Sequence, residues 1–145
     1  MKKLLATLSI LIALFLAGCG KDAVKQSDDS VLATSVISSI KTIETAYEAK
    51  DSDILLNQID SSEFAPIAAN LIFQSAELKL TTKLIKIKGT EVHVNINWYN
   101  QWQLTGNKIE NGGVSTLVFS SNPVKLIRIT GENPFIIPAQ RPLQN

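Results

Sequence analysis

Residues Glu91–Leu104 read EVHVNINWYNQWQL. Val92, Val94, Ile96 and Trp98 alternate with His93, Asn95, Asn97 and Tyr99. Side chains of a strand point to opposite faces with period two, so one face is apolar and the other polar. The β-branched and aromatic residues suit a pleated, half-buried surface. Trp102 and Leu104 keep the parity of Trp98 past Asn100. A strand this long is expected to bend or bulge near Asn100–Gln101.

The alternation spreads to both sides, over Leu78–Ile129. Leu78, Leu80, Thr82 and Leu84 share one parity, Ile85 and Ile87 the other. The switch predicts a bulge near Leu84. Gly89-Thr90, Gly106-Asn107 and Asn111-Gly112-Gly113 read as turns. Val114–Ser120 and Val124–Thr130 read as further strands, joined by Ser121-Asn122-Pro123. Beyond Gly131, three prolines and no periodicity predict an extended tail, with Phe135, Ile136 and Ile137 tucked onto the body.

Helices precede the strands. Val36, Ile40, Ile43 and Tyr47 form an apolar stripe over Val31–Lys50, widened by Ala33, Ile37 and Ala46. Ser30 or Asp29 is the expected cap, and Lys41, Glu44 and Glu48 fall off the stripe. Asp51-Ser52-Asp53 caps a short helix over Ile54–Ile59. After a break at Asp60–Phe64, expected as a small strand, Ser61 or Ser62 caps a third helix. That helix has Pro66 in its first turn and ends near Ser75.

The first residues read as a processing signal. Lys2 and Lys3 precede the apolar run Leu4–Phe15, which is too short to span a bilayer comfortably. Leu16-Ala17-Gly18-Cys19 resembles the bacterial lipobox, whose cysteine is lipidated before cleavage. The resemblance implies a diacylglyceryl thioether and palmitate on Cys19, the chain's one cysteine. More than one acyl chain is what stable anchoring requires. Gly20 stands where an Asp tends to retain lipoproteins at the inner membrane of Gram-negative cells. That implies the periplasmic face of the outer membrane in such a cell. The polar stretch Gly20–Ser30 reads as a tether reaching at most about 35–40 Å. The expected division is therefore 1–18 signal peptide, 19–30 lipidated cysteine and tether, 31–135 globular domain and 136–145 Pro-rich tail.

Helices followed by a run of antiparallel strands give the α+β class. The order of long helix, short helix, break, third helix and strand meander resembles the nuclear transport factor 2-like (cystatin-like) fold. In that fold a curved antiparallel sheet wraps N-terminal helices into a cone. Gly113, Leu117-Val118-Phe119, Lys125-Leu126, Gly131 and Asn133-Pro134-Phe135 look like the closing strands of small bacterial lipoproteins with this domain. Where that family commonly has Trp opening the last strand, this chain has Val124. The resemblance implies a pocket. It does not choose among enzyme, binding module and assembly part.

Charge excludes one class of partner. Lys and Arg total 14 against 13 Asp and Glu. Loss of Lys2 and Lys3 with the signal leaves 12 against 13, so no whole-protein field for nucleic acid exists. No His/Cys cluster has metal spacing, and no Gly-rich phosphate loop or nucleophile–base arrangement stands out, so neither cofactor nor metal is expected. Family enzymes of the isomerase, cyclase or dehydratase type place Asp, His or Tyr inside the cone. Here His93 has the outward parity and no evident partner, so it and Tyr99 serve only the alternative reading of a pocket-forming enzyme. Lys79, Lys83, Lys86 and Lys88 form a basic stretch, either drawn to anionic lipid or glycan or simply a solvated face that discourages edge pairing. Trp98, Tyr99, Asn100 and Trp102 are the candidate ligand-binding residues, as rings beside amides suit a sugar or peptide. The plainer account of the two tryptophans is packing. The expectation is a lipid-anchored envelope module without catalytic activity that binds an envelope protein or small ligand. The alternatives are the small enzyme and an accessory subunit of an envelope assembly.

Overall fold

The computed structural model describes residues 27–60 and 64–138. The expected signal peptide, Cys19, the expected tether up to residue 26, the candidate caps Ser61 and Ser62, and the tail from residue 139 lie outside the described residues.

Helix α1 spans Asp28–Ala49 and starts earlier than its stripe suggests. The cap is Ser27, not Ser30 or Asp29: its hydroxyl accepts from the Ser30 amide at 3.2 Å. Asp28 and Asp29 fall instead in the first turn, where the helix dipole favours carboxylates. Lys50 ends the helix in the left-handed conformation, its N–H returned to the carbonyls of Ala46 and Tyr47. Val36, Ile40, Ile43, Ala46 and Tyr47 are buried as the stripe requires. Ile37 is not; it is half exposed, so the stripe is narrower on that side. Glu44, expected off the stripe, is buried.

Helix α2 covers Ser52–Gln58, with the Asp51 carboxylate accepting from the Ile54 amide at 2.9 Å. Of the small strand expected over Asp60–Phe64, residues 61–63 lie outside the described residues; just before it, Ile59 makes a parallel bridge to Leu126. Helix α3 is only Ala65–Ala69, with Pro66 in its first turn, and stops at Asn70 rather than near Ser75. The reason lies downstream. The Gln74 amide already bonds the Gln103 carbonyl at 2.7 Å, so the chain is extended before Ser75.

The strands are β1 (Ser75–Lys88), β2 (Glu91–Leu104), β3 (Asn107–Ser121) and β4 (Val124–Gly131). They pair antiparallel in the order β1-β2-β3-β4. The expected bulge is present between Thr82 and Leu84, with Lys83 as the extra residue. It returns Ile85 and Ile87 to the inner face opposite Val94 and Val92. No bulge interrupts β2 at Asn100–Gln101; Asn100 pairs in step with Leu78 on one side and Asn111 on the other. The second irregularity falls on the β3–β4 pairing at Val118–Phe119, where both residues are buried. Thus β2 is the straight register against which its neighbours adjust.

Asn111-Gly112-Gly113 is not a turn but the middle of β3. Gly113 pairs with Trp98, and a Cβ there would stand 3.2 Å from the indole and against the Glu132 carboxylate. The glycine makes room for a large ring on the facing strand. Gly89 and Gly106, both at positive φ, make the two tight turns the sequence suggests. The third turn contains a cis Asn122–Pro123 bond.

The inner face of the curved sheet packs on α1. Two carboxylates fasten helix to sheet: Glu44 accepts from the Leu80 amide at 2.5 Å and Glu48 from the Leu78 amide at 2.8 Å. After β4 the chain turns back over the inner face. Ser115 donates its hydroxyl to the Glu132 carbonyl, and Phe135 and Ile137 join the core.

Candidate functional site

The four candidate residues of β2 divide between the faces. Trp98, Asn100 and Trp102 point inward, none more than 4% exposed, whereas Tyr99 points outward and is 37% exposed. The strand's alternation alone separates them.

Two of the inward three, Trp102 and Asn100, meet Tyr47 of α1 and the returning chain. Trp102 donates its indole N–H to the Tyr47 hydroxyl at 2.7 Å. Tyr47 donates onward to the Phe135 carbonyl at 3.3 Å. Asn100 donates to the Pro134 carbonyl at 3.0 Å. The Tyr47 ring lies 5.0 Å from Phe73 and 5.3 Å from Phe135, centroid to centroid. A buried aromatic with a polar tip needs such a partner, and here the partners form a chain. Burial pushes the Tyr47 hydroxyl up to about 12, against the opposing pull of the bonds from Trp102 and Asn100. At neutral pH it is a neutral hydroxyl. Among the described residues, the Trp98 indole N–H and the Asn100 side-chain carbonyl are buried without a partner.

Beside this cluster opens a cavity of about 170 Å³. Helix α3, the segment Asn70–Phe73 and the returning residues Phe135–Ile137 form its walls, with Tyr47 at its base. Among the described residues its lining holds no carboxylate, amine or imidazole. Such a space suits a small apolar group oriented by few polar contacts. None of the four candidate ligand-binding residues, Trp98, Tyr99, Asn100 and Trp102, lines it. Trp102 and Asn100 stand behind Tyr47 as support. The sequence marks its residues for packing rather than for a site: Tyr47 in the stripe of α1, Asn70–Phe73 in the stretch expected as helix, and the apolar run Phe135-Ile136-Ile137.

The two acid–base candidates are on the far side of the sheet. His93 is half-buried on the outer face, and it has a partner after all: its Nε2 lies 3.0 Å from the Glu91 carboxylate. Glu91 in turn meets Arg128 at 3.2 Å. Sequence parity could not show this, since Arg128 comes from β4, two strands away. Tyr99 donates to the Gln101 side chain at 3.4 Å, and partial burial and the Glu110 carboxylate push its hydroxyl upward. Glu110 itself pairs with Lys108 at 2.6 Å. Among the described residues no group of three His, Cys, Asp or Glu side chains is placed to hold a metal, and no helix is long and apolar enough to cross a membrane.

No protein family profile matches the sequence. No curated protein matches it either. Solved structures do. A nuclear transport factor 2 (NTF2-like) superfamily protein from Salmonella enterica serovar Typhimurium is 14% identical, with a TM-score of 0.61 over 73% of this chain and 93% of that one. An NTF-2 like protein of unknown function from Shewanella oneidensis is 20% identical, with a TM-score of 0.46 over 68% of this chain and 93% of that one. At this identity the Salmonella likeness speaks for the fold alone. Helices followed by a four-stranded antiparallel curved sheet make this the nuclear transport factor 2-like α+β cone.

Proposed function

We propose that this chain is a lipid-anchored binding module of the bacterial cell envelope, without catalytic activity of its own. The observation that carries the non-catalytic part is the chemistry of the cavity. Its one titratable lining group among the described residues is Tyr47, held as a neutral hydroxyl with a pKa of about 12. A general acid or base works best with a pKa near the operating pH. His93 and Tyr99, the groups an enzyme of this size could use, are on the opposite face. The cavity then serves to bind, taking a small apolar group of a ligand or an apolar side chain of an envelope protein.

The anchor rests on Leu16-Ala17-Gly18-Cys19 behind a basic and apolar leader. Palmitate labelling and cell fractionation test it. The native chain is expected to take up radioactive palmitate and to stay with membranes through a high-salt wash, and Cys19→Ser to do neither. Label incorporated into the Ser variant would overturn the assignment. For the cavity, Ile67→Trp should fill the space and abolish binding of a small naphthalene probe while the fold persists. A probe that binds both forms equally lies elsewhere.

A further inference from the structure

The outer face of the sheet is uneven in charge. Toward the β1–β2 and β3–β4 turns it gathers Lys83, Lys86 and Lys88 from β1 with Lys125 and Arg128 from β4. Register places them in rows: Lys86, His93, Val118 and Arg128 in one, Lys88, Glu91, Ser120 and Lys125 in the next. Lys83, the bulge residue, lines a trough of about 410 Å³ with Asn95, Asn97, Thr116 and Thr130. The one acid in these rows is Glu91, already shared by Arg128 and His93. Among the described residues Lys83, Lys86, Lys88 and Lys125 form no ion pair. Lysines along an exposed edge are ordinary protection against strand pairing. β4 is the other edge, so Lys125 and Arg128 are open to the same account; what edge protection does not require is that both sets share one face at one end of the sheet.

The second observation is where the tether enters. Glu48 meets Leu78 and Glu44 meets Leu80, so α1 and β1 run in opposite directions. From Glu44 back to Asp28 the helix rises about 24 Å. From Leu80 on to Lys88 the strand covers about 26 Å. Ser27 therefore lies at the end of the domain that carries the basic rows. Asp28 and Asp29 are at that end too, but on the helical side of the sheet.

We infer that the basic end of the outer sheet face docks on an anionic phospholipid surface. The inference rests on the lipid-anchor reading for its geometry: Gly20–Ser27 extends at most about 28 Å, which holds this end near the headgroups. The charge pattern supplies the rest. A basic residue near an anionic leaflet raises partitioning about fivefold, within a Debye length of the surface. The Asn and Thr side chains of the trough add hydrogen-bonding groups beside Lys83 for a headgroup phosphate.

The test uses the processed chain from residue 19 onward carrying Cys19→Ser, so that no acyl chain contributes in any arm. It is expected to sediment with vesicles of phosphatidylcholine mixed with phosphatidylglycerol. It should leave phosphatidylcholine vesicles in solution and be released from the mixed ones by high salt. Lys86→Gln with Lys88→Gln should lower partitioning about 25-fold at an unchanged melting temperature. Lys41→Gln with Lys108→Gln removes the same charge elsewhere and should leave partitioning as it was. Equal loss in both pairs, equal binding to the uncharged vesicles, or binding to heparin without binding to vesicles would each overturn the inference. Since the acyl chain is absent throughout, docking here alongside failed palmitate labelling would sink the anchor and keep the patch. Labelling without docking would do the reverse.

Discussion

The two faces of β2 differ in what holds them. Inward, Val92, Val94, Ile96, Trp98, Asn100 and Trp102 are all but sealed from solvent and are fitted to α1, to the bare Gly113 and to the returning Pro134-Phe135. Outward, Glu91, His93, Asn95, Asn97 and Tyr99 lie in register with side chains of three other strands. There the contacts are ion pairs and hydrogen bonds in reach of water, such as Thr116 to Asn95 at 3.0 Å. Shape dominates one face and charge the other. Substitutions on the first should be read as changes in stability. Those on the second should be read as changes in what the protein touches.

The largest effect should come from a charge placed in the inner layer. Ile40 is 4% exposed in the middle of the α1 stripe. An unpaired buried carboxylate costs several kcal/mol against a total of about 5–15 kcal/mol. Ile40→Asp is therefore expected to leave no cooperative thermal transition; a melting temperature like that of the native chain would contradict the layer assignment. Trp102→Phe comes next. It shrinks a fully buried ring and removes the donor to Tyr47, for a loss of about 1–3 kcal/mol in urea denaturation. In combination with Tyr47→Phe the losses should fall short of additive, as groups in one network do.

A pH profile sharpens the same point. The folded Tyr47 hydroxyl titrates at about 12, while in the unfolded chain it has the ordinary value of about 10. Between those values the folded state binds the extra proton, so stability is intact below pH 10 and falls as pH rises toward 12. The loss is of order 2 kcal/mol, and Tyr47→Phe should flatten that part of the curve. A curve of unchanged slope in the variant would assign the alkaline loss to other groups. The smallest effect belongs to the outer face. His93→Ala removes a partly exposed contact with the Glu91 carboxylate and should change stability by less than about 1 kcal/mol. It should also leave ligand binding at the cavity as it was, and a lost affinity there would join the two faces.

Much of this could be read in the sequence because alternation reports burial directly. The limits of β2, the inward set Val92–Trp98, the bulge near Leu84 and the turns at Gly89 and Gly106 all follow from parity and glycine. Gly112-Gly113 misled because a glycine pair signals a turn and a bare patch equally; only the facing Trp98 distinguishes them. The bend expected in β2 was assigned to the strand whose length suggested it, whereas the irregularities fall on β1 and on the β3–β4 pairing. Glu44 reads as solvated because one partner, Lys41 at 2.9 Å, is the ordinary neighbour on an exposed helix face, while the other, the Leu80 N–H, leaves no mark in a pattern of side chains. The cavity was least legible of all. Its walls come from Tyr47, a short helix, the segment Asn70–Phe73 and the returning tail, and only the folded chain brings those four together.

The paired carboxylates of α1 have a consequence for how molecules of this protein meet. β1 is an outer strand of the sheet, and such strands are templates onto which a neighbouring polypeptide can add. At Leu78 and Leu80 the donors a newcomer would need are already occupied by Glu48 and Glu44. An incoming strand would have to displace two glutamate side chains, one of them buried, before forming its first rungs there. The helix that fills the cone thus also works as a lock on its rim, guarding against unplanned polymerisation.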